Sequence, residues 1–373
     1  MGAVLRTIQA KLFETVSVGD FGARPGVTAD QGPAILAAHT YAQASGLSLT
    51  FPGGEYTIGP STSFIIDLSK TRWRGDGAVT LRWTSSPVSG CAVTIVNSEA
   101  AAYETSRRMV GRIIDNIAIC GSDSYVTSFP ATGLRLGNDV NITCGFTVSH
   151  VTLSGWSNCI DYRNNVWSVT LEKCRVLWGT ITTPRDHGNW GENNVLLDCF
   201  IADGVIFTIN YGEWRFFGGS LDNSQLLVDN YAYVAGFGMH LENPGSTVVT
   251  FPFINIRGSQ ATVFLSSPVL VLNNSGAADS ITVSPFYVDA GNTACGLILD
   301  SMSYTQGGAF GFYSLVAGGG RVVARDPQIL AYPNFAFTII AENVRGQLRN
   351  YGFESGNLTG WTFSANTSFG TLG

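Results

Sequence analysis

Charge is what this sequence has least of. Asp, Glu, Lys and Arg make up 13% of its 373 residues, against 44 glycines, 12% aromatic and 45% apolar residues. So few helix-favouring charged residues beside so many turn and aromatic residues points to strands and turns rather than a helical bundle. The net charge is -6 and the longest basic run is Arg107-Arg108, so nothing in the chain offers a cationic surface to a phosphate backbone. Nucleic acid is not an expected partner. No apolar run approaches the ~18 residues of a membrane span, and residues 1–7 lack the apolar core of a signal peptide. The expectation is a soluble protein, not exported by the ordinary route and with no membrane partner. The seven cysteines are odd in number, scattered and without a Cys-x-x-Cys pair. Neither a disulfide framework nor a metal site is expected, and no cofactor.

What the chain does have is repetition. Five segments align without gaps: Ser149–Leu153, Cys174–Trp178, Cys199–Asp203, Gly219–Asn223 and Met239–Asn243. Their centres, Val151, Val176, Ile201, Leu221 and Leu241, step by 25, 25, 20 and 20. A second apolar column, Phe146, Leu171, Leu196 and Phe216, keeps the same steps and then meets Gly236. A repeat of this length built of short strands without a helix is the mark of a parallel β-helix, which grows lengthwise as one solenoid.

Strand alternation assigns the faces. With the central residues inward, positions two away also face in: Cys174 and Cys199 as small apolar fillers, and Asp203, Asn223 and Asn243 as an inward polar column. The neighbouring positions face out. There the columns read His150, Arg175, Phe200, Ser220, His240 and Thr152, Leu177, Ala202, Asp222, Glu242.

Asp222 and Glu242 therefore lie about one strand spacing apart, ~4.8 Å, beside His240 and Ser220. Two carboxylates this close cannot both ionise cheaply, so one carries a proton, and an acid beside an ionised carboxylate is the equipment of glycoside hydrolysis. The spacing suits retention, which needs ~5 Å, better than inversion. Glu213 and Asp203 are further catalytic candidates. A dense group of aromatics, Trp178, Trp190, Tyr211 and Trp214, with Arg175 and His187, supplies candidate sugar contacts, because aromatic faces bury the C–H surfaces of sugar rings. His187 and Trp190 sit on a polar insertion between coils, residues 183–193.

At the N-terminus, Val4, Ile8 and Leu12 form an apolar stripe that predicts a short helix over residues 3–14, and a second helix is predicted over 33–44 with Asp30 as its N-cap and Gly46 at its end. An amphipathic helix here would cover the unpaired edge of the first coil. The motifs Asp20-Phe-Gly-Ala23, Val27-Thr-Ala-Asp30 and Leu49-Thr-Phe-Pro-Gly-Gly-Glu-Tyr-Thr-Ile58 resemble the opening segment of pectate lyase-like right-handed β-helices, in particular phage tailspikes and capsule depolymerases. Near the C-terminus, Asn350-Tyr-Gly-Phe-Glu-Ser-Gly-Asn-Leu-Thr-Gly-Trp361 is similar to the first strand of β-sandwich carbohydrate-binding modules, with too few residues after it to complete one.

The expected organisation is an N-terminal neck helix and opening strand over 1–22, an all-β right-handed parallel β-helix over 23–345 and the start of a truncated carbohydrate-binding-like module over 346–373. The resemblance implies a homotrimer in the virion tail, assembled in the host cytoplasm and attached to tail or baseplate proteins through its N-terminus. It also implies that the partner is a bacterial surface polysaccharide, capsular or O-antigen, bound and cleaved, and the paired carboxylates point to hydrolysis. Two alternatives stay open. A lyase would use His240, His187 or Tyr211 as base near Arg175 or Lys173, and an adhesin would bind glycan without cutting it.

Overall fold

The computed structural model describes residues 15–99, 111–122, 128–184, 192–243, 251–258, 260–273, 284–289, 291, 296–307, 316–325, 337–338 and 361–362. The chain divides into two compact units, residues 1–206 and 207–373, and the strand pairings among the described residues are parallel. The architecture is the expected right-handed parallel β-helix with a capping helix. The neck helix over 3–14 and most of 346–373 lie outside the described residues.

The first unit opens with a 3-10 turn, Val18–Phe21, held by a capping box in which the Gly19 amide donates to Ser17 Oγ at 3.2 Å and the Ser17 amide to Asp20 at 3.0 Å. The helix α1 spans Gly32–Ser45 and ends at Gly46, whose φ of 67° is the left-handed stop expected of glycine. Its start differs slightly from expectation. Gln31 occupies the cap position, and Asp30 acts one residue earlier, accepting from the amides of Gly32 at 2.8 Å and Gly59 at 2.7 Å. Ile35, Ala38, His39 and Ala42, spaced as one helical face, are buried against the first coil. His39 is the polar member of that face. It accepts from Trp73 Nε1 at 3.2 Å and donates from Nε2 to the Ile65 carbonyl at 2.9 Å, so the cap is hydrogen-bonded to the core it covers.

Three sheet faces then recur in this unit. One runs through Thr15–Ser17, Ser48–Ile58, Arg72–Trp83, Gly111–Cys120, Thr143–Ser149, Val166–Glu172 and Asn194–Leu197. A shorter one joins Gly111–Cys120 to Thr152–Ser154, Arg175–Leu177 and Phe200–Ala202. The third joins Phe64–Asp67, Cys91–Val96, Phe129–Leu136, Trp156–Tyr162 and Thr180–Thr182. Inside them Trp73, Trp83 and Trp156 are fully buried among edge-to-face rings. The six described cysteines are buried, and burial pushes the Cys159 thiol up to about 12, which makes it an inert filler.

The second unit repeats the plan. Glu213–Phe217, Tyr233–Phe237, Thr262–Ser266, Gly296–Asp300 and Val322–Arg325 form one face. Ser220–Asp222, His240–Asn243, Val269–Asn273 and Ser303–Gly307 form the next. The last comprises Gln225–Val228, Ile254–Ile256, Phe286–Val288 and Val316–Gly318.

The predicted register holds for Leu171 with Leu196, Val176 with Ile201, Phe216 with Gly236 and Leu221 with Leu241. It slips in the first repeat. Val176 pairs with Leu153 rather than Val151, and Leu171 with Val148 rather than Phe146, so that step is two residues shorter than the 25 counted along the sequence. Both columns shift together because this coil is itself shorter, while the corner at His150, with a φ of 52°, is the counterpart of those at Lys173 and Asp198, each with a φ of 50°. His150 thus leaves the outward column, and Thr152 faces Arg175 instead. At Gly236 the column loses its side chain because a Cβ there would lie 2.4 Å from Met239 Sδ and 2.8 Å from Leu265, so Met239, at the corner that follows, fills the space.

The inward polar column is corrected as well. Asp203 is exposed, with a φ of 63°, and Asn223 is half-buried, with a φ of 46°. Both sit where the strand has ended and the chain is left-handed, a conformation that Asp and Asn tolerate, and strand alternation stops there. The Asn243 side chain is outside the described residues. The outward column fails in the first unit, where Leu177 and Ala202 are buried, and keeps Asp222 and Glu242 only half-buried.

Candidate functional site

The second unit brings a cluster of polar side chains to its outer surface. Leu221 and Leu241 are buried with no exposure, and the alternation along Ser220–Asp222 and His240–Asn243 turns Ser220, Asp222, His240 and Glu242 outward. The parallel register sets Ser220 beside His240 and Asp222 beside Glu242. Left-handed glycines precede both strands, Gly218 and Gly219 before one and Gly238 before the other, so each begins at a sharp corner that a side chain would strain.

The geometry defines a proton order. Ser220 Oγ donates to Asp222 Oδ1 and stands 3.2 Å from His240 Nδ1. A hydroxyl has one proton, so it accepts from His240 while donating to Asp222, giving the sequence Nδ1–H to Oγ–H to carboxylate. His240 Nδ1 lies 3.9 Å from Asp222 Oδ1 and 3.7 Å from Glu242 Oε2. One donor atom from each of Asp222, His240 and Glu242 falls within 4.8 Å of the others, a nitrogen and oxygen set that a cation could also bridge.

Other candidates divide between the units. Glu213 is half-buried on Glu213–Phe217 and is held by an ion pair with Arg215. Tyr211 stacks on Tyr231 with centroids 5.8 Å apart at 23°. Trp214 is not a sugar contact: it is 1% exposed, packs edge-on against Phe207 and donates to the Tyr211 carbonyl at 3.0 Å. An indole on an inward strand position belongs to the core. Arg175, Trp178 and Asp203 belong to the first unit. Arg175 is exposed with its guanidinium 5.1 Å from the Phe200 ring centre, and Trp178 is half-buried at a left-handed corner. His187 and Trp190 lie outside the described residues.

Sequence reasoning missed the exposed aromatics of the second unit. Phe217 and Phe237, 39% and 37% exposed, stack at 5.2 Å and 11°, with Phe264 edge-on to Phe237 at 6.0 Å. Tyr231 and Tyr233 are also exposed. The signal was available, because Phe217 and Phe237 are separated by the same 20-residue step as Leu221 and Leu241.

No family model matches the chain. A Klebsiella pneumoniae protein described as an uncharacterized 65.4 kDa protein in the cps region is 26% identical over 371 residues, covering 97% of this chain and 62% of that protein. The capsule K2-specific depolymerase of Klebsiella phage vB_KpnP_KpV74 is 24% identical over 376 residues, covering 92% and 61%. The chain therefore spans less than two thirds of the length of these relatives. Among solved structures, the enzymatically active domain of tailspike protein 4 of bacteriophage CBA120 is similar with a TM-score of 0.66 at 19% identity, over 86% of this chain and 45% of that one. The tailspike of Acinetobacter phage vB_ApiP_P1 is similar with a TM-score of 0.53 at 13% identity, over 89% and 64%. The resemblance noted in the opening segment thus extends along most of the chain, and the structural likenesses share its fold.

Proposed function

We propose that this chain is part of a phage tailspike that binds a bacterial surface polysaccharide and cleaves it by glycoside hydrolysis. The observation that carries the reading is the register-locked pair Asp222 and Glu242, with donor atoms within 4.8 Å of each other and His240 between them. With one oxygen of each within 4.8 Å of the other, the pair stands closer than the ~6.5 to 9.5 Å that leaves room for a water between two carboxylates, which favours direct attack by a carboxylate and retention at the cleaved carbon.

The hydrogen bonds divide the roles. Asp222 accepts from Ser220, which favours its ionised form, and it attacks the sugar carbon. Glu242 gives its proton to the leaving oxygen and then takes one from water as the second step releases the sugar. His240 positions the pair through Ser220. Glu213, tied to Arg215, stays outside the proton transfer and can orient a sugar hydroxyl. Phe217, Phe237, Tyr211, Tyr231 and Tyr233 supply flat apolar faces for sugar rings. The relative named as a capsule depolymerase supports the substrate class, and the tailspike likenesses support a place in the virion tail; a homotrimer joined to other tail proteins and assembled in the host cytoplasm belongs to the same proposal.

A second reading has one observation behind it: His240 lies in the same cluster and would serve as base in β-elimination from a uronate. Mass spectrometry of polysaccharide digested by the protein decides. Fragments that have gained one water support hydrolysis, unsaturated fragments without that water support elimination, and no fragments from a glycan that binds would leave an adhesin.

A further inference from the structure

The first unit has a cleft on its outer face, lined by Arg72, Arg74 and Arg112 with Ser48, Thr50 and Asp115. Parallel pairing builds it: Ser48 faces Arg72, Thr50 faces Arg74, and Arg74 faces Asp115 on the next coil. Buried Leu49 and Trp73 alternate with these residues and fix their outward direction.

The three guanidinium groups are unequally engaged. Arg112 donates to Glu172 at 2.9 Å and lies 3.8 Å from Asp115. Arg74 reaches Asp76 at 3.5 Å, with both side chains more than half exposed. Arg72 is exposed and makes no ion pair among the described residues. Asp115 is also met by His150, at 3.3 Å, and Ser149 links His150 to Glu172 at 2.8 and 3.0 Å. The cleft thus presents two planar cationic forks beside the hydroxyls of Ser48 and Thr50, with its acids already occupied; Thr50 donates to the Val16 carbonyl at 3.2 Å and keeps its lone pairs to accept.

Resting on the reading that the chain binds a saccharide, we propose that this cleft binds the carboxylate of an acidic sugar, a uronate, through Arg72 and Arg74. A planar fork matches a carboxylate bidentately, and Ser48 and Thr50 are placed to meet ring hydroxyls. The limited free charge suits a monoanion better than a doubly charged phosphate.

The test uses the whole protein and two probes, an oligosaccharide with glucuronate in every repeat and its carboxyl-reduced counterpart, with affinities read by calorimetry. The unaltered protein binds the acidic probe about tenfold more tightly than the reduced one, and Arg72→Ala/Arg74→Ala removes that preference while leaving affinity for the reduced probe unchanged. Arg72→Glu reverses the preference. Equal binding of both probes by the unaltered protein, or a preference that survives in the double variant, overturns the proposal. Release of fragments from polysaccharide is measured in parallel. Cleavage with no acidic preference sinks the cleft alone, whereas a preference lost in the variant without any cleavage leaves the cleft standing and sinks hydrolysis.

Discussion

Asp222→Asn and Ser220→Ala together separate a reacting carboxylate from the group that orients it. The Asp222 side chain is 19% exposed and accepts from Ser220, and Asn keeps its shape while removing the charge that attacks the sugar. Loss of an attacking group lowers kcat by about 10⁴ to 10⁶. Binding should change little, because the platform of Phe217 and Phe237 is untouched. Ser220→Ala removes one hydrogen bond to a charged acceptor, worth about 1 to 2 kcal/mol at this exposure, or a factor of about 5 to 30 in kcat. Reducing-end release from purified polysaccharide measures both, and affinity for an oligosaccharide fragment separates kcat from binding. Asp222→Asn with more than about a tenth of the original kcat, or a Ser220→Ala loss as large as that of Asp222→Asn, would refute the assignment of Asp222 as nucleophile.

Three further outcomes follow from the geometry. Phe237→Ala removes one ring of the stacked pair at 5.2 Å, and it should raise KM for the polysaccharide about tenfold with kcat within about twofold, read from initial rates. Gly236→Ala places a methyl against Met239 Sδ and should destabilise by about 1 to 3 kcal/mol in urea unfolding, a loss relieved in Gly236→Ala/Met239→Ala; an additive double variant would show that Met239 does not fill that column. His39 has its pKa lowered by burial, partly opposed by the Ile65 carbonyl. The unfolded chain then binds the extra proton more readily, so the stability from neutral His39 is complete above its unfolded value near 6.5 and is lost as pH falls below it. The urea midpoint should drop between pH 7.5 and 5.5, and His39→Gln should lessen that drop; an unchanged slope would remove His39 from the explanation.

Much of the fold was legible because a β-helix writes its period into the chain. Leu221 and Leu241 repeat at 20 residues, both are buried, and their strands pair in the predicted register. Asp222, His240 and Glu242 follow from them by alternation alone. The reading failed at corners. Asp203 and Asn223 lie at corners in left-handed backbone, and the strand rule that sent their side chains inward has no force there. His150 is likewise a corner, and the first repeat is two residues shorter than the next, which an ungapped alignment cannot register. The aromatic count was informative about the class of surface and misleading about the residues, since Trp214 proved to be core while Phe217 and Phe237 are exposed.

The sequence by itself therefore determined the solenoid, its capping helix and the face on which the carboxylate pair stands, because hydrophobic period and strand alternation are local rules that each residue obeys with its neighbours. Tertiary structure decided what depends on where the chain turns and on which side chains meet across coils. It set the hydrogen bond from Ser220 to Asp222, the stacking of Phe217 on Phe237 and the gathering of Arg72, Arg74 and Arg112 into one cleft. The physical reason is that neighbouring coils are separated by 20 residues or more along the chain but by a single strand spacing of ~4.8 Å in space, so the groups that would share a substrate become neighbours only once the coil has closed.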